Sequence, residues 1–255
     1  MEIGSSTRTG DILRASGEYV LALRKIAEEQ EKSSDVNDPE VMEYVSALHL
    51  RWLLAKRQAF WFPSAETEIY VNEMWPDIGC FSALDFELSL KHLLRLIDGD
   101  TYVLTKSSHD QGIDLVHERK LDLNFDAYSK TIVQCKLYRG YVPVSELRDF
   151  FGVMAAHVAT GLFATTGMLT SQGAQFVPLA NSSPHANRLF VLSSIGIDRL
   201  FDIGHNLADL ILNNDVNIEN EAEFIAWAEK LDSLRTSGHK LLWPVCTPPI
   251  QQQLF

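Results

Sequence analysis

Residues 132–137 read Ile-Val-Gln-Cys-Lys-Leu, a short apolar run that contains two polar side chains. Side chains alternate between the two faces of a β-strand, so a strand here puts Gln134 and Lys136 on one face. The other face carries Val133 and Cys135 and is expected to be buried. A polar pair on one face of an otherwise apolar strand indicates a functional surface next to a hydrophobic core.

The segments around this run alternate between helix and strand patterns. The predicted elements, in chain order, are a helix at 82–97, strands at 101–106, 113–116 and 132–137, a helix at 144–159, a strand at 161–166, a helix at 169–180 and a strand at 188–193. This order predicts an α/β fold, in which helices flank a mixed sheet.

Helical segments are predicted on both sides of this unit, which divides the chain into residues 1–80, 81–202 and 203–255. Apolar periodicity predicts further helices at 9–30, 39–61, 203–213 and 219–235, followed by an extended tail. The N-terminal helices cannot bury their apolar stripes alone. We expect them to pack on the rest of the chain or on a second copy, which makes them a candidate dimer, partner or regulatory surface.

Composition and charge limit the classes of function. A hydrophobic fraction of 46% is ample for a core, and the net charge of -12 argues against a protein that coats nucleic acid. It does not exclude an enzyme that gathers carboxylates around a metal. The first 80 residues hold 14 acidic and 8 basic side chains, and this acidity would repel DNA unless the segment were displaced.

The sequence also indicates a cellular compartment. No apolar run approaches the roughly 18 residues that a membrane helix needs, and the N-terminus lacks a signal-peptide pattern. The chain is therefore expected to be soluble and cytoplasmic, without a membrane partner. Cys80, Cys135 and Cys246 are far apart and lack CxxC spacing, so they indicate neither a disulfide framework nor a zinc site.

A lone acid precedes the polar pair in the sequence Gly-Ile-Asp-Leu-Val at 112–116. Strand alternation predicts that Asp114 lies opposite Ile113 and Leu115, and a carboxylate in so apolar a strand needs a partner. If this strand neighbours 132–137, Asp114, Gln134 and Lys136 converge within a few ångströms. Two oxygen donors and an ammonium suit a hard divalent cation bound to a phosphate.

The chemistry that such a group favours is phosphodiester hydrolysis. Asp114, the amide oxygen of Gln134 and the main-chain carbonyl of Cys135 could bind Mg²⁺ or Mn²⁺, which activates water and offsets charge growing on the phosphate. The Lys136 ammonium would orient the nucleophile and stabilise negative charge. Glu87, on the helix predicted at 82–97, borders an apolar stripe and is a candidate second acid at the metal.

Together these motifs resemble the catalytic domain of Mrr-type restriction endonucleases, a branch of the PD-(D/E)xK nuclease superfamily in which Gln often replaces the usual acid of the last motif. The resemblance rests on Asp-Phe-Glu at 85–87, Gly-Ile-Asp at 112–114, Gln-Cys-Lys at 134–136 and the elements that follow, and it covers roughly residues 81–202. It implies the restriction-endonuclease-like α-β-β-β-α-β core. The resemblance also implies that Asp114 is a metal ligand, that Gln134 and Lys136 form the QxK pair, and that Glu87 is the acid from the first helix.

The resemblance also implies a metal-dependent DNA endonuclease of bacterial restriction or anti-phage defence. A single site of this kind cuts one strand, so cleavage of both strands needs a homodimer or a second binding event on the same DNA. A partner defence protein is another candidate binding partner of the chain. The first 80 residues are acidic and helical, unlike the basic winged helix beside some family members, so recognition of methylated DNA is not implied.

Two alternatives stay open at this stage. One is a catalytically silent binding module that keeps the nuclease fold within a defence complex, and the other is a nuclease specific for RNA or branched DNA. The terminal Gln-Gln-Gln-Leu-Phe at 251–255 resembles the clamp-binding peptides of bacterial replication and repair proteins. A tail that anchors its own Leu and Phe is the simpler interpretation of that segment.

Overall fold

A computed structural model describes most of the chain after its N-terminal segment. The described residues are 39–61, 81–105, 112–120, 128–182, 188–213 and 220–244. The helix predicted at 9–30 and the Gln-Gln-Gln-Leu-Phe tail lie outside the described residues.

Six helices and seven strands form within these ranges. The helices are α1 (Pro39–Trp61), α2 (Ala83–Asp98), α3 (Val144–His157), α4 (Ser171–Ala180), α5 (Ser194–Leu212) and α6 (Glu221–Leu242). The strands are β1 (Val103–Leu104), β2 (Leu115–Lys120), β3 (Tyr128–Lys136), β4 (Tyr141–Val142), β5 (Thr160–Thr165), β6 (Met168–Leu169) and β7 (Leu189–Leu192). None of the helices that the structure describes is both long and apolar enough to cross a lipid bilayer.

Five of the strands build one mixed sheet in the order β1-β2-β3-β5-β7. The pairs β1–β2 and β2–β3 are antiparallel, whereas β3–β5 and β5–β7 are parallel. Strands β4 and β6 pair separately in a small parallel sheet. The predicted α/β class is confirmed, and the strand at 113–116 does neighbour the strand at 132–137, with Leu115 opposite Val133.

The two faces of β3 enter two different apolar clusters. Val133 and Cys135 pack in a cluster with residues of α1, α2, α5 and α6. Ile132 packs in a second cluster with residues of α3 and α4. The sheet is therefore covered by helices on both sides, and strand alternation directs Gln134 and Lys136 toward the α3 side.

Helix α1 is buried on two sides, not along a single stripe. Val45 and Leu48, which belong to the stripe apparent in the sequence, form a small cluster with Leu212 of α5. Ala47, Leu50 and Leu54 enter the large cluster around α2. The apolar surface of α1 is thus used inside the chain.

Ion pairs also attach α1 to the neighbouring helices. The Lys56 ammonium lies 2.8 Å from the carboxylate of Asp85 on α2, and both side chains are buried. The remaining pairs join Arg51 to Asp209 at 2.8 Å, Arg57 to Asp198, and Glu43 to Arg235 of α6. The Lys56–Asp85 pair is the most shielded of these four, because its side chains are 9% and 11% exposed, whereas the acids of the other three are 29–54% exposed.

The C-terminal helices extend beyond their predicted ranges. Helix α5 begins at Ser194 instead of 203, and residue 202, the predicted end of the middle unit, lies within it. The sequence Ser-Ser-Ile-Gly at 193–196 has the composition of a turn, but Ile197 and Leu200 are buried and hold the first turns of the helix against the core. Helix α6 likewise continues to Leu242, past the predicted 235.

Candidate active site

Asp114 lies one residue before β2, where the chain enters the sheet. Its main-chain N–H donates to the Val133 carbonyl at 2.9 Å, and its carbonyl accepts from the N–H of Thr105 at 3.0 Å. Its side chain accepts a hydrogen bond from the main-chain N–H of Cys135, with 2.6 Å between the nitrogen and Oδ2. The carboxylate is therefore fixed against the edge of β3.

The prediction that Ile113 and Leu115 share one face of the strand is wrong. Leu115 packs in the cluster around α2, whereas Ile113 packs in the cluster on the α3 side. The chain enters the sheet through Gly112, whose φ of 82° lies in the left-handed region that favours glycine. Regular alternation starts only at Leu115, because the strand has not begun at Asp114.

Gln134 occupies the site as a buried amide. Its side chain is 7% exposed, and its Oε1 atom has no hydrogen-bond partner among the residues that the structure describes. Its Nε2 atom lies so close to Gly112 that a Cβ built there would approach it to 2.5 Å. A buried carbonyl-type oxygen without a donor costs free energy, so this atom is a candidate ligand for something that enters the site.

Lys136 is held by Glu146, an acid that no motif of the sequence pointed to as its partner. Its Nζ lies 3.1 Å from Oε2 of Glu146, in the first turn of α3, and Oε1 of that carboxylate accepts from the Tyr138 hydroxyl at 3.1 Å. The side chains of the ion pair are 31% and 30% exposed, so the ammonium is oriented but remains open to solvent. The signal was an acid at the beginning of the helix that follows the Gln-Cys-Lys strand.

Tyr138 acts as a donor in this arrangement. Burial raises the pKa of its hydroxyl, and the hydrogen bond to Glu146 and the charge of that carboxylate raise the pKa further, while Lys136 lowers it. Its main chain is bridged by Thr166, whose Oγ1 accepts from the Tyr138 N–H at 2.9 Å and donates to the Tyr138 carbonyl at 2.8 Å. The turn after β5 therefore braces the end of β3, next to Lys136.

Glu87 and Asp114 both lie close enough to Cys135 to affect its thiol. Burial raises the pKa of Cys135 well above its ordinary value, and the negative charges of Asp114 and then Glu87 raise it further. A thiol in such surroundings stays protonated and is a poor nucleophile. The half-buried Glu87 on α2 is therefore near the Cys135 thiol, on the face of the sheet that α2 covers.

These residues offer oxygen donors at one end of β3. No three His, Cys, Asp or Glu side chains in the described ranges form a metal-binding group. An ion here would depend on the Asp114 carboxylate together with amide and main-chain oxygens. Mg²⁺ is commonly held in this way, by one or two carboxylates with waters and substrate phosphates, so the buried Gln134 Oε1 and the Asp114 carboxylate fit it.

Comparison with protein families assigns this part of the chain. Residues 80–183 match the family model Mrr_cat, described as restriction endonuclease. The match covers less than half of the chain, and this segment is similar to a restriction endonuclease domain. The resemblance that the motifs predicted is confirmed, and the matched family is one of nucleases whose substrate is DNA. The matched segment contains Glu87, Asp114, Gln134, Lys136 and also Glu146.

Two comparisons with individual proteins complete this finding. No curated protein matches the sequence at a significant level. Among solved structures, the chain is similar to the DNA modification-dependent restriction endonuclease AspBHI, with a TM-score of 0.37 and 18% sequence identity. The similarity covers 71% of this chain and 42% of the AspBHI chain, so it spans less than half of that protein.

Proposed function

We propose that this chain is an Mg²⁺-dependent endonuclease that hydrolyses DNA phosphodiester bonds in bacterial restriction or anti-phage defence. The observation that carries the proposal is the buried Oε1 of Gln134, which lacks a hydrogen-bond partner among the described residues. It belongs to the residue preceding Cys135, whose N–H binds the Asp114 carboxylate. A cation would satisfy an oxygen that no donor reaches.

Three oxygens would hold the ion: the carboxylate of Asp114, Oε1 of Gln134 and the main-chain carbonyl of Cys135. In a strand, the N–H and C=O of a residue point toward the same neighbour, so this carbonyl lies on the edge where the Cys135 N–H meets Asp114. All three are the hard donors that Mg²⁺ and Mn²⁺ prefer. When bound, the ion supplies Lewis-acid stabilisation of the phosphate and lowers the pKa of a water.

The other side chains orient and stabilise the reacting groups. Lys136 presents a positive charge to the phosphate oxygens or to the attacking water, and Glu146 holds its ammonium at 3.1 Å in the required direction. Glu87, from α2, serves as a second acid that orients a water near the Asp114 carboxylate. Each of these groups comes from a different element, so the geometry depends on the packing of α2 and α3 on the two faces of the sheet.

Cleavage of supercoiled plasmid by the purified full-length chain tests the proposal. Nicked or linear product is expected with Mg²⁺ or Mn²⁺ and none with EDTA. Lys136→Ala and Asp114→Ala should each lower the rate by about 10²-fold or more, because each removes a charge that acts in the transition state. Lys130→Ala is the matched control, since this lysine lies on the same strand but away from the site. Its ammonium pairs with the Glu118 carboxylate at a distance of 3.0 Å.

The same assay separates the alternatives. Cutting by the parent and Lys130→Ala, but not by the two site variants, supports the endonuclease. No cutting under any metal condition, with DNA still bound, favours a catalytically silent binding module. Faster cleavage of RNA or branched DNA than of duplex plasmid would reassign the substrate, and accumulation of nicked circles would indicate that the second strand needs a second copy or a second visit.

A further inference from the structure

A second polar cavity lies at the opposite end of β2 and β3 from Asp114 and Lys136. It has a volume of about 400 Å³ and is bounded by the end of α2, the early residues of β3 and β5, and the end of α6. Its lining includes Asp98, Asp100, Tyr102, His117 and Trp243. This volume lies within the range of small-molecule sites.

Two buried atoms in this lining lack hydrogen bonds within the described part of the chain. One is Oδ1 of Asp98, whose other oxygen accepts from the indole N–H of Trp243 at 3.0 Å. The other is Nε2 of His117, which lies 3.4 Å from the Asp100 carboxylate, while Nδ1 donates to the Thr101 carbonyl at 3.0 Å. The cavity therefore contains a fixed acceptor that no donor reaches, next to a ring held in place by its other nitrogen.

The walls and charges of this cavity select a class of ligand. The Tyr102 ring lies against the His117 ring at 5.0 Å, and Trp243 packs edge-on against Phe190 at 5.2 Å, so both aromatic side chains are held by neighbours. Burial raises the pKa of Asp98, although the Trp243 hydrogen bond opposes this rise, so a donor that entered would relieve an unfavourable burial. When His117 and His239, which also line the cavity, are neutral, Asp98 and Asp100 would repel a phosphate.

We propose that this cavity binds a nucleobase or nucleoside with an exocyclic amino group, which donates to Oδ1 of Asp98. Adenine N6 and cytosine N4 are amino donors, whereas the corresponding position of uracil-type bases is a carbonyl acceptor. A planar heterocycle matches the aromatic part of the lining, and the absence of a phosphate avoids the two carboxylates. The site is separate from the nuclease centre and does not depend on its activity.

Isothermal titration of the full-length chain with matched nucleosides tests the proposal. Adenosine should bind about tenfold or more tightly than purine riboside, which lacks only the amino group, because a hydrogen bond to a charged acceptor is lost. Cytidine should likewise bind more tightly than uridine, and adenosine monophosphate more weakly than adenosine. Repeating the titration with Lys136→Ala should give the same affinities, which keeps the result independent of the nuclease proposal.

Asp98→Asn supplies the variant. The Trp243 N–H needs an acceptor, so the new amide oxygen should take the place of Oδ2 and its NH₂ group should face the cavity, replacing an acceptor with a donor. Adenosine binding should fall about tenfold or more. Asp149→Asn is the control, because Asp149 is an exposed acid on α3, across the sheet from the cavity.

Several results would overturn the assignment. These are no binding of any nucleoside to the unaltered chain, equal binding of adenosine and purine riboside, or unchanged adenosine affinity in a folded Asp98→Asn variant. Binding of spermidine without any nucleoside would also overturn it, since the carboxylates would then attract cations in general. The ligand comparison uses the unaltered chain, so it stands even if Asp98→Asn does not fold.

Discussion

Two buried polar side chains of the nuclease domain are shielded from solvent to the same degree but are partnered in opposite ways. Asp85 is 8% exposed and Gln134 is 7% exposed. The Asp85 carboxylate accepts from Lys56 at 2.8 Å and from the N–H and hydroxyl of Ser82, both at 2.7 Å. The Gln134 amide oxygen accepts from none of the described residues.

This difference distinguishes a polar group that stabilises the fold from the one that we propose as a metal ligand. Burial alone would raise the pKa of Asp85, but the hydrogen bonds from Lys56 and Ser82 outweigh it and hold the pKa below its ordinary value. Asp85 also closes the capping box of α2 with Ser82. Its partners are all within the chain, whereas the Oε1 atom of Gln134 has no partner among the described residues and is available to a ligand.

The largest expected effect is a loss of stability when the buried pair of Lys56 and Asp85 is broken. Asp85→Ala should lower the free energy of unfolding by about 3–5 kcal/mol, because it leaves the buried Lys56 ammonium unpaired and removes a helix cap. Urea unfolding measures this. Cleavage per folded molecule should not change. Glu118→Ala, which breaks an exposed pair with Lys130, should cost less than about 1 kcal/mol, and an equal cost in both variants would contradict the comparison.

The next largest effect is on the cleavage rate and concerns the amide of Gln134, whose Oε1 atom has no partner among the described residues. Gly112→Ala should lower the cleavage rate by about 10²-fold, because the new methyl group would push the Gln134 side chain away and misplace it by the order of an ångström. Gly99→Ala is the matched control: Gly99 also has a positive φ, of 73°, but a Cβ there meets nothing within 4 Å. Both variants carry the same backbone strain, so equal rates would show that displacement of Gln134 does not matter.

A pH effect of intermediate size should arise at the interface of α1 and α2. Burial, followed by the charges of His49 and Lys91, lowers the pKa of His92 from 6.5 to about 3. Below pH 6.5 the His92 ring is protonated in the unfolded chain but stays neutral in the folded chain. The free energy of unfolding therefore falls as the pH drops from 6.5 toward 3. The loss between pH 7 and pH 5 should be about 2 kcal/mol.

Urea unfolding of the parent and of His92→Leu at both pH values isolates this contribution. The parent should lose about 2 kcal/mol more than the variant, because other acid effects are common to both. His157→Leu, at an exposed position on α3, is the control and should behave like the parent. Parallel pH profiles of the parent and His92→Leu would contradict the assignment.

The smallest expected effect tests the acid that orients Lys136. Glu146→Gln should lower the single-turnover rate about tenfold, since the amide can still accept from Tyr138 but no longer holds the ammonium by charge. DNA affinity and the melting temperature should stay near those of the parent, which a purely structural role would not predict. Asp149→Asn, on the same helix, should leave the rate unchanged; an unchanged rate in Glu146→Gln would remove Glu146 from the site.

Elements with a single clear period were predictable from the sequence. The helix at 39–61 has the predicted ends, and the alternation along Ile-Val-Gln-Cys-Lys gives the correct faces of β3. These patterns depend only on the spacing of apolar residues. The adjacency of β2 and β3, which was a condition of the predicted site, is present in the sheet.

Features that depend on tertiary contacts were not predictable in this way. Alternation does not hold at Asp114, which lies before the start of β2, and no periodicity encodes the bond between its side chain and the main chain of Cys135. The pairing of Glu146 with Lys136 requires α3 to pack beside the end of β3, which no local pattern encodes. The cavity around Asp98 and His117 joins residues from α2, β2 and α6, which are far apart in sequence.

Anomalous X-ray diffraction from crystals of the full-length chain soaked in Mn²⁺ tests the central claim most directly. The account predicts an anomalous peak within bonding distance of the Asp114 carboxylate and the Oε1 atom of Gln134, and loss of this peak in Gln134→Leu. No peak at this end of β3 at millimolar Mn²⁺, or a peak held by neither side chain, would contradict it.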